Sequence, residues 1–529
     1  MAFWHRIRRV FTKGKANPKR QTPDQAAAAP QERLSPDLTV NRSRLKDLLG
    51  DSADVVYREL EVTKPVATAV LAIYMDGLVN VTLVNEAIFF PLTVGAIRTE
   101  DRPGNPKEVL TMWQRHFLGS VSTQLAGTYG ETVQALLSGN TILMVNGTAE
   151  ALLLGTQSWP DRGVHEPDTE AVVRGSKEGF TETLRTNTSL LRRRLRTPLL
   201  RLETVRLGHY SQTEVVIAYL KGLAPEDLIQ EVRRRLAGVT IDGVLESRFI
   251  EDFISDRPWG LFPTVFNTQR PDVVAARLLE GRVAILVEGT PFVLTVPALF
   301  FDFMQSPEEY YVSPWTGNFL RWLRFFGASL SLYLPALYVV ITIYRQELLP
   351  GELLTSIAAA EEGVPFPITL EIIFMGLVFE ALREAGVRMP RPVGQAVSIV
   401  GALVIGEAAI RSQLASPALI MIVTFTAITT FMIPSNDLAY CFSLLRLLFV
   451  LAGEIFCFFG IIMTTILLLL YLNQLKSFGV YYLTPLVPHA RGGFFDILFR
   501  VPRSQPPGGQ GAGSGFHPYG TSRRDRGRA

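Results

Sequence analysis

Ionisable side chains inside apolar runs are the residues of this chain that invite chemistry. Glu407 and Arg411 stand one helical turn apart at the end of an apolar stretch. Glu371, Glu380, Arg383 and Glu384 recur at near-helical spacing in another, and Arg446 and Glu454 interrupt a third. Charge is costly in hydrocarbon, so such groups face a bundle interior or a watery cavity, and by default they mark a path for ions or protons. The plainer reading is a set of ion pairs that fixes helix packing. Upstream of Glu407, the residues Val397, Val400, Gly401 and Val404 form a stripe of small and branched side chains. In an oligomer that stripe would line a narrow apolar pore with a charged mouth, a gate that closes by dewetting. It serves equally well as ordinary helix packing.

Bond-making chemistry finds no such foothold. The chain has no G-x-S-x-G, H-E-x-x-H, C-x-x-C or Walker A pattern. His5, His116, His165, His209, His489 and His517 are scattered without metal-ligand spacing. Gly175, Lys177 and Gly179 resemble a phosphate loop only loosely, because no apolar strand runs into them. No enzyme activity, metal or cofactor is therefore expected. The run Leu191-Arg-Arg-Arg-Leu-Arg196 is a different matter. Arg192, Arg193, Arg194 and Arg196 suit phosphate, lipid headgroups or the carboxylates of a neighbouring subunit, unless they simply end a solvated helix.

The elements that must position these groups divide the chain in two. Of 529 residues, 48% are hydrophobic and 19% charged, with mean hydropathy +0.21. That length exceeds one core. The two cysteines exclude a disulfide scaffold, and a net charge of +3 gives no reason to expect nucleic acid. Long apolar runs gather in the C-terminal third. Phe325 to Tyr344, Gly394 to Ile410, Pro417 to Pro434 and Leu438 to Leu472 are the candidate membrane spans. The last is long enough for about 50 Å of helix, either one tilted helix or two spans broken near Gly453. The segment around Glu371 to Arg388 predicts a helix at the interface, re-entrant, or facing a watery cavity. Residues 1–34 carry eight basic side chains against Asp24 and Glu32 without a following apolar core, which is a basic arm rather than a signal peptide, either lying on anionic lipid or simply solvated without a partner. The tail from His489 holds seven arginines against Asp496 and Asp525. Both ends then belong on the cytoplasmic side, which favours an even number of spans: four, with one long final helix.

The N-terminal half contains a repeat. Leu71-Ala-Ile-Tyr-Met-Asp-Gly-Leu-Val79 matches Val216-Ile-Ala-Tyr-Leu-Lys-Gly-Leu-Ala224, and Leu137 to Thr148 matches Leu279 to Thr290 through Gly139/Gly281, Val145/Val287, Gly147/Gly289 and Thr148/Thr290. The near-constant offset predicts two copies of one α/β module. In each, a β-rich run passes a Gly turn into a helix, Pro225 to Leu236 in the second copy. Asn146-Gly147 predicts a hairpin with a type I′ turn; Glu288-Gly289 stands in its place in the second copy. The organisation expected is a basic arm (1–40), a first α/β module with its linker (41–195), a second module (196–320), a helical membrane domain of about four spans plus an amphipathic helix (321–475), and a basic Gly/Pro-rich tail (476–529).

Several long motifs resemble the GerA spore germination family, A-subunit type. They are Arg174-Gly-Ser-Lys-Glu-Gly-Phe-Thr-Glu182 with Asn187 and the arginine run, Thr268-Gln-Arg-Pro-Asp272, Leu278-Leu-Glu-Gly-Arg-Val-Ala284, Gly289-Thr-Pro-Phe292, Phe379-Glu-Ala-Leu-Arg-Glu-Ala-Gly386, and Val397-Ser-Ile-Val-Gly401 with Leu403-Val-Ile-Gly406. The resemblance covers roughly Asp54 to Pro488. Where the family usually shows Glu, this chain has Gln269, which weakens a charge role there. The resemblance implies the A subunit of a nutrient germinant receptor in the spore inner membrane. Such a subunit acts with a transporter-like B subunit and a C lipoprotein, and assembles as a homo-oligomeric ring forming a ligand-gated cation channel. The alternatives are a family paralogue that amplifies ion release, a secondary transporter, and a scaffold without its own pore. The transporter reading is weakened because no inverted repeat is visible.

Overall fold

The computed structural model describes residues 31–62, 68–94, 105–117, 121–158, 170, 172–388, 406–487 and 499–500. Residues 1–30 of the basic arm, most of the candidate span Gly394 to Ile410 with Val397, Val400, Gly401 and Val404, and the tail apart from 476–487 and 499–500 lie outside them. The described residues fall into two compact units. One holds the chain up to Pro258 together with Val265–Pro297; the other holds Trp259–Thr264 and the chain from Ala298.

The first unit is the duplicated α/β structure. Copy one comprises helix α1 (Leu38–Leu49), strands β1 (Val55–Val62) and β2 (Thr68–Met75), a helical stretch over 81–94, helix α2 (Pro106–Phe117), β3 (Thr123–Ala126), α3 (Tyr129–Leu137), β4 (Thr141–Val145) and β5 (Ala151–Leu154). Copy two repeats the plan with α4 (Leu184–Arg194), β6 (Leu200–Leu207), β7 (Thr213–Leu220), α5 (Glu226–Ala237), α6 (Ser247–Ile254), β8 (Phe266–Thr268), α7 (Pro271–Leu279), β9 (Val283–Val287) and β10 (Val293–Val296). The strand orders are β1-β2-β4-β5-β3 and β6-β7-β9-β10-β8, the same permutation twice, with antiparallel neighbours throughout. Leu71, Ile73 and Met75 pack with α1 and α3 on one face of the first sheet, while Val70, Ala72 and Tyr74 pack with Trp113 on the other. A strand buried on both faces reads as a continuous apolar run, which is why the repeat is visible in the sequence at β2 and β7.

The repeat starts earlier than its strands suggest. Asn41 Nδ2 donates to Ser35 O at 2.7 Å while its Oδ1 accepts from Ser35 N at 2.9 Å. Asn187 makes the same pair of bonds to Thr181, at 2.6 and 2.8 Å. Helix α4 packs in the core of the second sheet through Leu184, Leu190 and Leu191, so the second copy includes residues ahead of 196. The hairpin is present, but its turn is not type I′. Gly147 has φ +88° and Gly289 φ +89°, whereas neither Asn146 nor Glu288 has a positive φ. Thr148 N donates to Val145 O at 3.2 Å. That is type II geometry, which needs left-handed backbone only at the second central residue, so Glu is as acceptable as Asn before the glycine.

The second unit is helical: α8 (Pro314–Tyr344), α9 (Gly351–Glu361), α10 (Ile368–Arg388), α11 (Pro417–Thr430) and α12 (Asn436–Gln474). The first and last, of 31 and 39 residues, are long and apolar enough to cross a membrane. The expectation of one long final helix is corrected: α12 folds back on itself at Cys457, whose φ is +57° and ψ −144°. A Cβ on Gly453 would meet Ile461 at 3.7 Å. Tyr333 stacks on Phe449 at 5.1 Å and its hydroxyl meets Thr465 at 3.3 Å. In a continuous helix Phe449 and Thr465 would stand about 24 Å apart. The last apolar run is therefore a helical hairpin, broken at Cys457 rather than near Gly453.

The unit has a base and an apex. At the base, Tyr471 and Tyr482 stack against Phe262, Cys441 Sγ donates to Leu261 O at 2.6 Å, and Ser477 Oγ donates to Thr264 O at 2.6 Å while accepting from Ala298 N at 3.0 Å. Phe301 stacks on Phe325 near the start of α8, so both ends of α12 share a level with that start. At the apex, Tyr344 donates to Glu454 O at 2.5 Å. Helices α10 and α11 run from apex to base: Glu371 meets Ser416 at their apex ends, and Phe379 meets Phe431 further down.

Candidate functional site

Helix α10 delivers Glu380 and Arg383, one turn apart, to the first arm of α12. Their side chains pair at 2.5 Å, and the Arg383 guanidinium lies 4.6 Å from the ring centre of Tyr440. Arg446, in the middle of that arm, donates through Nε to Ser331 O of α8 at 2.9 Å and through Nη2 to Thr430 Oγ1 of α11 at 2.6 Å. Four helices thus converge on one carboxylate and two guanidinium groups. Glu380 attracts Arg446 and Arg383 repels it. Glu380 Oε1 is buried without a hydrogen-bond partner. An unmatched polar atom at a helix crossing is costly when left dry.

The other charged residues named from sequence are distributed differently. Glu371 is 2% exposed and accepts from Ser416 N; the Thr369 hydroxyl donates to Glu454 Oε2. These two carboxylates therefore belong to the apex. Glu407 and Arg411 pair with each other on an exposed surface, 55% and 78% open. Glu384 is exposed on α10. Among the described residues, no group of histidine, cysteine or carboxylate side chains has the arrangement of a metal site.

The arginine run in α4 is mostly engaged within the chain. Arg192 is 2% exposed and forms a bidentate pair with Asp54 (Nε–Oδ2 2.7 Å, Nη2–Oδ1 3.0 Å), with Ser52 Oγ at 2.8 Å. It joins the two copies, beside a backbone bond from Ala53 N to Leu202 O at 2.9 Å. Arg194 and Arg193 reach Glu178 at 2.6 and 3.5 Å. Arg196 alone of the four is exposed.

Two motifs distant in sequence meet. Arg270, fully buried, binds Asp272 through Nη2 at 2.8 Å, Ser176 O at 3.0 Å and Glu170 O at 3.1 Å; Phe180 N donates to Gln269 O at 2.7 Å. The segment Arg174–Glu182 is thereby fastened to the start of α7, and Gln269 serves through its backbone. Thr268 Oγ1 donates to Glu170 Oε2 at 2.6 Å. Burial pushes the Glu170 carboxyl up to about 7, against the opposing pull of the Thr268 hydroxyl and Arg270. The folded state then holds a proton that the unfolded chain releases near 4.5, so this contribution is complete below that value and is lost as pH rises through about 7. Between pH ~5 and ~8 the second module should lose on the order of 2 kcal/mol. Hydrogen exchange of β8 and α7 in the full chain checks this, and Glu170→Gln should flatten the dependence.

Sequence reasoning missed a further buried cluster. Glu309, ahead of α8, accepts from Arg321 Nε at 2.5 Å and from Arg324 Nη1; Glu309 and Arg321 are wholly buried. Arg321 and Arg324 register in the sequence only as charges flanking a span. Their partner is a carboxylate in a short 3-10 turn, Pro307–Tyr310, whose capping box Ser306-Pro-Glu-Glu309 the sequence shows but does not connect to the two arginines.

With this geometry in place, comparison with known proteins is informative. Residues 43–506 match the family model described as Bacillus/Clostridium GerA spore germination protein. The chain is similar to spore germination protein KA of Bacillus subtilis, 40% identical over 470 residues that span 89% of this chain and 85% of that protein. It is similar to spore germination protein GerLA of Bacillus cereus, 35% identical across 87% of this chain and 92% of that one. Among solved structures it is similar to the N-terminal domain of the A subunit of the Bacillus megaterium spore germinant receptor GerK3, with 32% identity, a TM-score of 0.42, and coverage of 51% of this chain and 98% of that domain.

Proposed function

Since the chain belongs to the GerA family of spore germination proteins, we propose that it is the A subunit of a nutrient germinant receptor in the spore inner membrane, and that several copies enclose a gated path for cations. It acts beside a transporter-like B subunit, which takes the nutrient, and a C lipoprotein. The observation that carries this reading is the convergence of Glu380, Arg383 and Arg446 where four helices cross. Arg446 lies about 15 Å along its helix from the base, near the middle of a bilayer whose apolar core is about 30 Å thick. Charge at that depth is retained where it faces water or moves. In this reading base and apex are the two membrane faces, and the arginine-rich tail supports a base on the cytoplasmic, spore-core side.

Mechanistically, nutrient binding to the partner favours an open state and can shift the equilibrium only by its differential affinity for the two states. Val397, Val400, Gly401 and Val404, with Glu407 at the mouth, form the gate. Shortening Val404 to Ala widens and wets the constriction, so spores carrying V404A should release monovalent cations without nutrient. Unchanged closure at unchanged protein level would remove the gate from that stretch. Imaging of the detergent-solubilised particle tests the assembly, because a strict monomer is incompatible with a shared path.

A further inference from the structure

The first turns of α8 carry Trp315, Phe319, Trp322 and Phe326, which are 87%, 66%, 52% and 63% exposed. They follow one another at helical spacing on a single side. Exposed positions 316 and 323 between them are Thr and Leu, so no charge interrupts the face. The opposite side is buried through Gly317, Arg321, Gly327 and Ala328, and its two arginines are held by Glu309. Beyond Ser329 the exposed aromatic face ends, and the helix runs through the bundle, with Ser331, Leu332, Pro335, Ala336, Val339 and Val340 buried.

We propose that this aromatic face lies in the boundary between lipid headgroups and acyl chains on the base side, with the bilayer itself as its partner. Helix length is the first argument. The 31 residues of α8 extend about 46 Å, whereas the hydrocarbon core needs about 30 Å. Phe325 to Tyr344 alone fills that core, so Trp322, about 4 Å before it along the axis, falls at headgroup depth, and Phe319 and Trp315 follow outward from it unless the helix tilts. Chemistry is the second. Trp concentrates at that depth because its ring is apolar while its N–H seeks a polar partner. Continuity is the third: the face belongs to the spanning helix itself. Trp322 also stacks on Phe499 at 5.4 Å, and Asn318 Oδ1 accepts from Arg500 N at 2.6 Å. The C-terminal segment is thus held at the same level.

This inference rests on the membrane reading, and the test separates the two. Full-length protein and its W315F/W322F variant are reconstituted in phosphatidylcholine vesicles brominated either near the headgroup or near the chain end. The emission that the variant lacks should be quenched by the shallow bromines and little by the deep ones. Protein that floats with the vesicles but shows no quenching would place the face against a second copy or another protein and overturn the inference. Stronger quenching by the deep bromines would overturn it too. Protein that fails to float overturns the membrane reading and this inference together.

Discussion

Glu309→Gln should destabilise the helical unit by about 3–5 kcal/mol. The variant removes the carboxylate that Arg321 and Arg324 share. Arg321 is fully buried and has Tyr310 beside it, with Nη2 to Oη at 3.4 Å and its guanidinium 5.7 Å from the ring centre. A phenol cannot replace a carboxylate there. Removing one member of a buried ionic cluster strands the others, and desolvated charge cannot recover its hydration without opening the fold. The measurement is denaturant- or heat-induced unfolding of the purified protein in detergent. Glu309→Asp, which keeps the charge, should cost less. Replacing Glu309, Arg321 and Arg324 together by apolar residues of similar volume should recover much of the loss. If Glu309→Gln unfolds within about 0.5 kcal/mol of the parent, an amount typical of plain surface substitutions, the cluster is not the structural centre inferred here.

Arg192→Ala should cost a comparable amount, about 3–5 kcal/mol, and the damage should appear between the two copies rather than within either. Arg192 belongs to α4 of the second copy, whereas Asp54 and Ser52 belong to the first. Each sheet keeps its own core, so both copies should remain folded while amide protection at Ala53 and Leu202 falls. A double-mutant cycle with Asp54→Ala should give a large coupling energy, because each single change strands the partner's charge. Additive effects would show that the copies are held by something else.

The parts of this architecture legible in the sequence were those written in continuous patterns. β2 and β7 are buried on both faces, and their apolar runs survived duplication well enough to be matched. The start of each copy was legible but not read: α1 and α4 agree at Leu38/Leu184, Asn41/Asn187, Ser43/Ser189, Leu45/Leu191 and Leu49/Leu195, at nearly the same offset as the strands. Asn146 suggested the wrong turn: its Gly neighbour supplies the only left-handed residue needed. The reversal itself falls on Cys457, between Phe456 and Phe458, but Gly453 and Gly460 bracket it and leave room where a Cβ on Gly460 would run into Ala452 O; the sequence therefore offered a break near Gly453 without fixing the residue that turns. In the candidate site, the i, i+3 pair Glu380–Arg383 was visible, as was Arg446 within its apolar run. Their meeting was not, since it depends on how α8, α10, α11 and α12 cross. The arginines of α4 looked available because sequence shows charge, and only packing reveals that Asp54 and Glu178 had already claimed three of them.

The reversal at Cys457 bears on how the polypeptide is threaded during synthesis. With α12 in the membrane as proposed, the segment leaves one compartment and comes straight back, so it transfers no soluble mass and only the tip around Cys457 has to pass the lipid barrier. The two apolar arms can then partition as a preassembled unit, late in translation, without altering the sidedness of anything made before or after them. Lengthening that tip with a glycosylation acceptor would report, in a microsomal translation reaction, whether it reaches the far compartment.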